Sequence, residues 1–145
     1  DDVKIGEIQI RHGFGPPILI TPFLASLKHA KELLMLGSVV GPDEALRMGL
    51  VNRVVPGDQL FEEAAKVAKQ FGALPPHGVR LNKFLVNRVY ELQAFREALD
   101  YRDDPMIQAL SSEASGDAVG TDRLKVLREQ GWGAFLKERD EAFKD

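Results

Sequence analysis

Residues 28–57 read KHAKELLMLGSVVGPDEALRMGLVNRVVPG, and the punctuation of this stretch decides the organisation of the chain. Lys28–Leu36 is built from Ala, Leu, Lys and Glu, which lose little freedom in a helix, and Gly37 suits the left-handed residue that ends one. Gly41-Pro42-Asp43-Glu44 opens a second helix. Proline at the first helical position gives up only an amide that has no partner there, and the two carboxylates face the positive end of the helix dipole. Ala45–Met48 continues this helix and Gly49 stops it. Leu50-Val51-Asn52-Arg53-Val54-Val55 is short and β-branched, so it reads as a strand, closed by Pro56-Gly57.

Downstream, Asp58 suits the cap of a helix whose apolar face runs Phe61, Ala64, Ala65, Ala68 and Phe71. Leu81, Phe84, Leu85, Val89, Leu92, Phe95 and Leu99 keep helical spacing from about Pro76 to Asp103. Asp104-Pro105 is expected to break or kink that helix, because proline lacks the amide and disfavours helix before it. Residues 111–121 are rich in Ser, Gly and Ala. A last helical stretch spans about Thr121–Phe143, interrupted near Gly131-Trp132-Gly133. Upstream, Val3–Ile10 alternates apolar and other residues with a slip at Gly6-Glu7, the pattern of a short, irregular strand. The rest of the chain offers this strand no obvious partner, so it is expected to join a sheet from elsewhere.

With 145 residues, the chain is one domain or part of one. Hydrophobic residues at 44% and charged residues at 28% describe a folded soluble protein rather than a disordered one. Nineteen Lys and Arg against 22 Asp and Glu leave a net charge of −3, which exerts no pull toward nucleic acid or an anionic membrane. Without cysteine there is no disulfide framework, thiolate metal site or cysteine nucleophile. No apolar run approaches the roughly 18 residues of a membrane span. Asp1-Asp2-Val3-Lys4 lacks the basic and apolar regions of a signal peptide, so the expected location is the cytoplasm.

His12, His29 and His77 are never three or four residues apart, so the spacing of a helical metal site is missing and no metal is expected. His29 and His77 read as surface or packing residues; His12, between the strand and a Gly-Pro loop, stands where pockets form. Gly13-Phe14-Gly15-Pro16-Pro17 is no phosphate loop: it lacks the Gly-Lys-Ser/Thr ending, and its prolines remove the amides a phosphate needs. It reads as a rigid turn. The carboxylate pairs Glu62-Glu63 and Asp103-Asp104 sit at helix ends among polar neighbours and read as caps and solvated faces.

Residues 28–57 closely resemble the crotonase superfamily of enoyl-CoA hydratases and isomerases, with its helix ending in Leu-x-Gly, its short helix containing Glu-Ala, and its Gly-Leu-Val-Asn-x-Val-Val-Pro. Gly6–Pro17 resembles the family's strand and loop Gly-x-Pro-Glu-Ile-x-x-Gly, and Gly133–Arg139 its terminal Ala-Phe-x-x-x-Arg. The resemblance implies an α/β fold of crotonase type. Residues 1–26 would form the end of the ββα spiral core. Residues 27–110 would form the helical C-terminal trimerisation region, with a short strand near 50–55, and residues 111–145 a loop and terminal helix. It further implies that the chain is the C-terminal portion of a longer polypeptide. The missing N-terminal part would carry the two oxyanion-hole amides, one catalytic glutamate and most of the coenzyme A groove. An acyl-CoA thioester substrate, no tightly bound cofactor and a homotrimer or hexamer follow from the same likeness.

Aligned on Gly13, the family's catalytic Glu falls on Gln9, Ile8 replaces the usual Pro, and Glu7 stands two residues upstream. A carboxyl can be tuned to pass a proton to Cα; an amide only donates and accepts hydrogen bonds. A two-residue insertion before Gly13 puts Glu7 in the slot instead, and strand alternation does not discriminate because residues 7 and 9 would share a face. Gln9 is the favoured assignment, since it keeps Gln-Ile-Arg-His-Gly in step with Glu-Ile-x-x-Gly. The resemblance also places His12, Phe14 and Pro17 at the acyl end of the pocket, and Phe135 and Lys137 toward the adenine end of coenzyme A. A longer segment, about Ser115–Gly131, separates this chain from the family pattern there. Two functions stand: an enoyl-CoA hydratase/isomerase-type enzyme, and a non-catalytic oligomerisation or binding module of the same fold.

Overall fold

The structure is a computed structural model and describes residues 3–13, 15–113 and 118–143. The quoted stretch folds as its punctuation dictates. Helix α2, Leu27–Leu36, begins at Ser26, whose Oγ accepts a hydrogen bond from the His29 amide at 3.4 Å, and stops at Gly37 in the left-handed region, φ 63°. Before it, the short helix α1 spans Thr21–Leu24. After it, α3 spans Pro42–Met48, with Asp43 and Glu44 in its first turn and Gly49 at φ 84° beyond its end. Leu33 of α2 and Ala45 and Met48 of α3 are buried together with Val40, and Ile5, Leu50 and Val51 pack against them. Leu33, 1% exposed, contributes about 1.5–3 kcal/mol by leaving water.

Two features of the β structure differ from the sequence-based expectation. The N-terminal strand does find a partner within the chain. Strand β1, Ile5–Gly6, pairs antiparallel with β2, Val39–Val40, in the register Ile5↔Val40 and Gly6↔Val39. Leu50–Val55, expected as a strand, forms no ladder among the described residues. Both segments have the β-branched composition, but the link between α2 and α3 carries only Val39–Val40 alongside β1. Gly6 permits the approach, since a Cβ there would lie 2.6 Å from the Ser38 carbonyl oxygen.

The expected strand also ends early. Ile8–His12 is a 3₁₀ turn, closed by Gly13 at φ 82°, whose amide bonds the Ile10 carbonyl at 2.9 Å. Glu7 is therefore the residue entering a turn and Gln9 lies inside it, so the period-two argument about their faces does not apply.

The helical region continues with a 3₁₀ turn at Gly57–Gln59, α4 at Leu60–Gly72 and α5 at Pro76–Leu92. Asp58 lies within that turn and makes no side-chain cap. The long helix expected up to Asp103 breaks at Ala94, which adopts φ 61°, and α6, Phe95–Leu99, restarts beyond it. A left-handed alanine costs roughly 1–2 kcal/mol. The change of direction brings Phe95 edge-on to Phe23 of α1, with ring centroids 4.9 Å apart and planes at 89°, a favourable aromatic geometry. Asp104 then caps α7, Pro105–Glu113, accepting from the Met106 amide at 2.8 Å. Helices α8, Ala118–Gln130, and α9, Trp132–Glu141, meet at Gly131, φ 84°, where the interruption was expected. Helix α9 packs back on the 3₁₀ turn at Ile8–His12. Among the described residues no helix is long and apolar enough to cross a membrane.

Candidate functional site

The turn at Ile8–His12 packs against α2 and α9, and Glu7, just before it, is met by α1. Glu7, at its entrance, accepts a hydrogen bond on Oε1 from Thr21 Oγ1 at 3.0 Å. Thr21 is only 4% exposed, so its hydroxyl spends its proton on the carboxylate inside the protein. Both residues line a cavity of about 130 Å³ walled by Ile5, Ile20, Leu24, Leu33 and Leu50. Glu7 is the one ionisable group among the described lining residues. A carboxyl at the wall of an apolar cavity, held by a neutral donor, has the placement of a general acid or base. Gln9 is half-buried, and its Oε1 is buried without accepting a hydrogen bond from the protein. The amide oxygen is thus free to take a donor.

On the other side, His12 is enclosed by α9. Its ring stacks on Phe135, centroids 5.5 Å apart, and on Trp132 at 6.3 Å, and those two rings stack on each other at 5.2 Å. Arg139 Nη1 lies 2.7 Å from His12 Nε2. Arg139 is itself 8% exposed and forms a two-pronged pair with Asp140, at 2.8 and 2.6 Å. Arg11 Nη1 reaches the same carboxylate at 3.2 Å, and Arg123 of α8 donates to the Arg11 carbonyl at 2.7 Å. Burial first, and then the Arg139 charge, hold the His12 pKa below its ordinary value of 6.5; the Ile8 backbone, as a hydrogen-bond acceptor, and the Asp140 charge oppose the shift. The hydrogen bond from Arg139 chiefly holds the Asp140 carboxyl below its ordinary value.

The sequence-based site is therefore divided. Glu7 lines the cavity, and Gln9 stands two residues along the same turn. His12 turns the other way, into the rings of α9, and Pro17 is exposed in the following loop; neither lines the cavity with Glu7. Phe14 lies outside the described residues. Phe135, expected to reach toward adenine, is 4% exposed because its ring is taken up by His12 and Trp132, whereas Lys137 is exposed. Thr21 and Asp140 went unread in the sequence, and Arg139, read there only as the Arg of the terminal Ala-Phe-x-x-x-Arg segment, is buried rather than on an exposed helix face. A threonine 14 residues from Glu7 and an arginine 127 residues from His12 carry no local signal of such contacts. Among the described residues no three His, Cys, Asp or Glu side chains converge as a metal ion requires.

Solved structures that superpose on this small sheet and helical remainder are enoyl-CoA hydratases and isomerases of the crotonase fold. An enoyl-CoA hydratase/isomerase from Xanthobacter autotrophicus Py2 superposes with a TM-score of 0.77 at 33% identity, over 97% of this chain and 51% of that one. An enoyl-CoA hydratase from Mycobacterium smegmatis gives the same TM-score, 0.77, at 20% identity, a likeness of fold. The chain belongs to the enoyl-CoA hydratase/isomerase family, which matches it over residues 1–145. Among curated relatives it is 31% identical to a crotonyl-CoA hydratase of Syntrophomonas wolfei, over 98% of this chain and 50% of that protein. It is also 31% identical to a short-chain-enoyl-CoA hydratase of Clostridium acetobutylicum, over 99% of this chain and 54% of the relative. The chain thus spans about half the length of the relatives it matches.

Proposed function

We propose that this chain is the C-terminal part of an acyl-CoA enzyme of the hydratase/isomerase type, acting on an enoyl-CoA or related thioester through an oxyanion-stabilised enolate. The observation that carries the proposal is the Glu7 carboxylate, held by the buried Thr21 hydroxyl at an apolar cavity in a chain of this family. In hydration, the oxygen of water bonds to the β-carbon of the thioester, a proton reaches Cα, and the electron pair of the double bond passes through the enolate. Glu7 moves the proton, and Gln9, whose amide cannot titrate, orients water or the acyl group by hydrogen bonding. Two backbone amides, from the part of the relatives' length that this chain does not span, stabilise the enolate oxygen by several kcal/mol. The acyl chain lies along the cavity beside Glu7. Coenzyme A, part of the substrate, approaches the exposed Lys137. The protein assembles as a trimer or a doubled trimer, consistent with the exposed Phe61, Phe84 and Leu92 on α4 and α5.

Steady-state hydration of a series of trans-2-enoyl-CoA thioesters by the full-length protein tests this. Glu7→Gln is expected to lower kcat by about 10²–10⁴-fold, the usual contribution of a positioned acid/base. Full activity in Glu7→Gln, together with changed activity in Gln9→Glu, moves the acid/base role to position 9. Wild-type protein inert toward every thioester, yet oligomeric, favours the binding-module reading instead.

A further inference from the structure

We infer that His12 is a positioning residue: its imidazole, bound by the Arg139 guanidinium and stacked with Trp132 and Phe135, locks the turn that follows Glu7 and contains Gln9 onto the C-terminal helix α9. The importance of that turn rests on the function proposed above; the lock itself rests on geometry. Arg139 can only donate, so His12 Nε2, 2.7 Å away, must be the acceptor. The proton of the neutral ring is then on Nδ1. His12 is the last residue of the turn that contains Gln9, so fixing its ring on α9 holds that turn in place. The ring cannot swing away, because Trp132 and Phe135 stack with it. Nor can Arg139 readily leave, because Asp140 binds it with two prongs.

The lock requires neutral imidazole. A second proton would occupy the lone pair that Arg139 uses and would set a cation against a cation. The groups facing the ring are Arg139 and Asp140 from α9 and Arg123 from α8, with Arg11 adjacent in the turn; three of the four are cationic. The lock is therefore closed at neutral pH and opens in acid.

Amide hydrogen exchange at residues 8–13 in the full-length protein, corrected for intrinsic rates between pH 5 and 8, tests the lock together with two variants. His12→Gln keeps an acceptor for Arg139 but does not titrate; His12→Leu keeps none. Exchange in His12→Leu is expected to rise about tenfold, the worth of one charge-assisted hydrogen bond. Wild type should approach that level as the pH falls through the His12 titration, and His12→Gln should stay protected throughout. In the thioester assay His12→Leu should lose kcat with little change in KM, and His12→Gln should recover it. Wild-type exchange that is flat with pH, or that matches His12→Gln at every pH, overturns the inference even if His12→Leu does not fold. The exchange result stands whether or not the protein hydrates a thioester, so failure of the lock and failure of the enzyme reading are told apart.

Discussion

Thr21 Oγ1 donates to Glu7 Oε1 at 3.0 Å, joining the first turn of α1 to the entrance of the 3₁₀ turn. This contact gives the carboxylate a fixed direction along the cavity wall, and the threonine that supplies it is almost fully buried. Thr21→Val removes the hydroxyl and keeps the shape. It is expected to cost about 1–2 kcal/mol in urea denaturation, because the carboxylate loses a buried partner, whereas Thr21→Ser should recover most of the loss. Equal midpoints for the two variants would assign the buried Thr21 to packing alone.

Stability is expected to depend on pH through His12. Its pKa in the folded protein lies below the ordinary 6.5, so the unfolded chain binds more protons in the window between the two values. The contribution of the neutral ring is complete above about 6.5 and is lost as the pH falls through the depressed value. Melting temperatures of wild type and His12→Gln, compared from pH 5 to 7.5, should diverge toward acid, wild type falling faster. Asp140 acts in a lower window. Its depressed carboxyl stabilises the fold above the ordinary 3.8 and loses that effect as the pH falls through its folded value.

Two glycine substitutions are expected to have opposite signs. At Gly37 the left-handed φ of 63° and a Cβ position 2.9 Å from Ile10 Cγ2 both oppose a side chain. Gly37→Ala should destabilise by at least about 1–2 kcal/mol and disturb the turn at Ile10 and Arg11. Gly78 lies within α5 with nothing inside 4 Å of a Cβ, so Gly78→Ala should stabilise by about 0.5–1 kcal/mol. Denaturant midpoints of the two variants measure both effects.

Leu33→Ala opens the centre of the core and is expected to cost about 2–5 kcal/mol by thermal or urea unfolding. Phe61, 86% exposed on α4, should behave differently. Phe61→Asp is expected to leave helicity by circular dichroism unchanged while lowering the sedimentation coefficient, because the proposed trimer covers this ring. Unchanged sedimentation in Phe61→Asp and in Phe84→Asp would remove these faces from the assembly.

Where a single residue's chemistry dictates local conformation, the sequence was read correctly. Gly37, Gly49 and Gly131 end or divide helices because each adopts a positive φ, and Pro42 begins one because its ring already has the helical φ. Where conformation depends on a distant partner, the sequence misled. Val39–Val40 and Leu50–Val55 have the same strand character, and only the arrangement of α2 and α3 selects which pairs with Ile5–Gly6. The helix break at Ala94 has neither glycine nor proline to announce it; the left-handed alanine persists where the chain redirects Phe95 toward Phe23.

For the candidate site, the sequence by itself determined the family and the order of residues in the turn, Glu7, Ile8, Gln9 and His12, because these are local properties of the chain. Tertiary structure alone decided what each side chain faces: Glu7 the Thr21 hydroxyl and the cavity, His12 the guanidinium of Arg139 beneath two aromatic rings. The physical reason is range. Backbone preference acts over a few residues, whereas hydrogen bonds and ring stacking act between whatever groups the folded chain brings within a few ångströms.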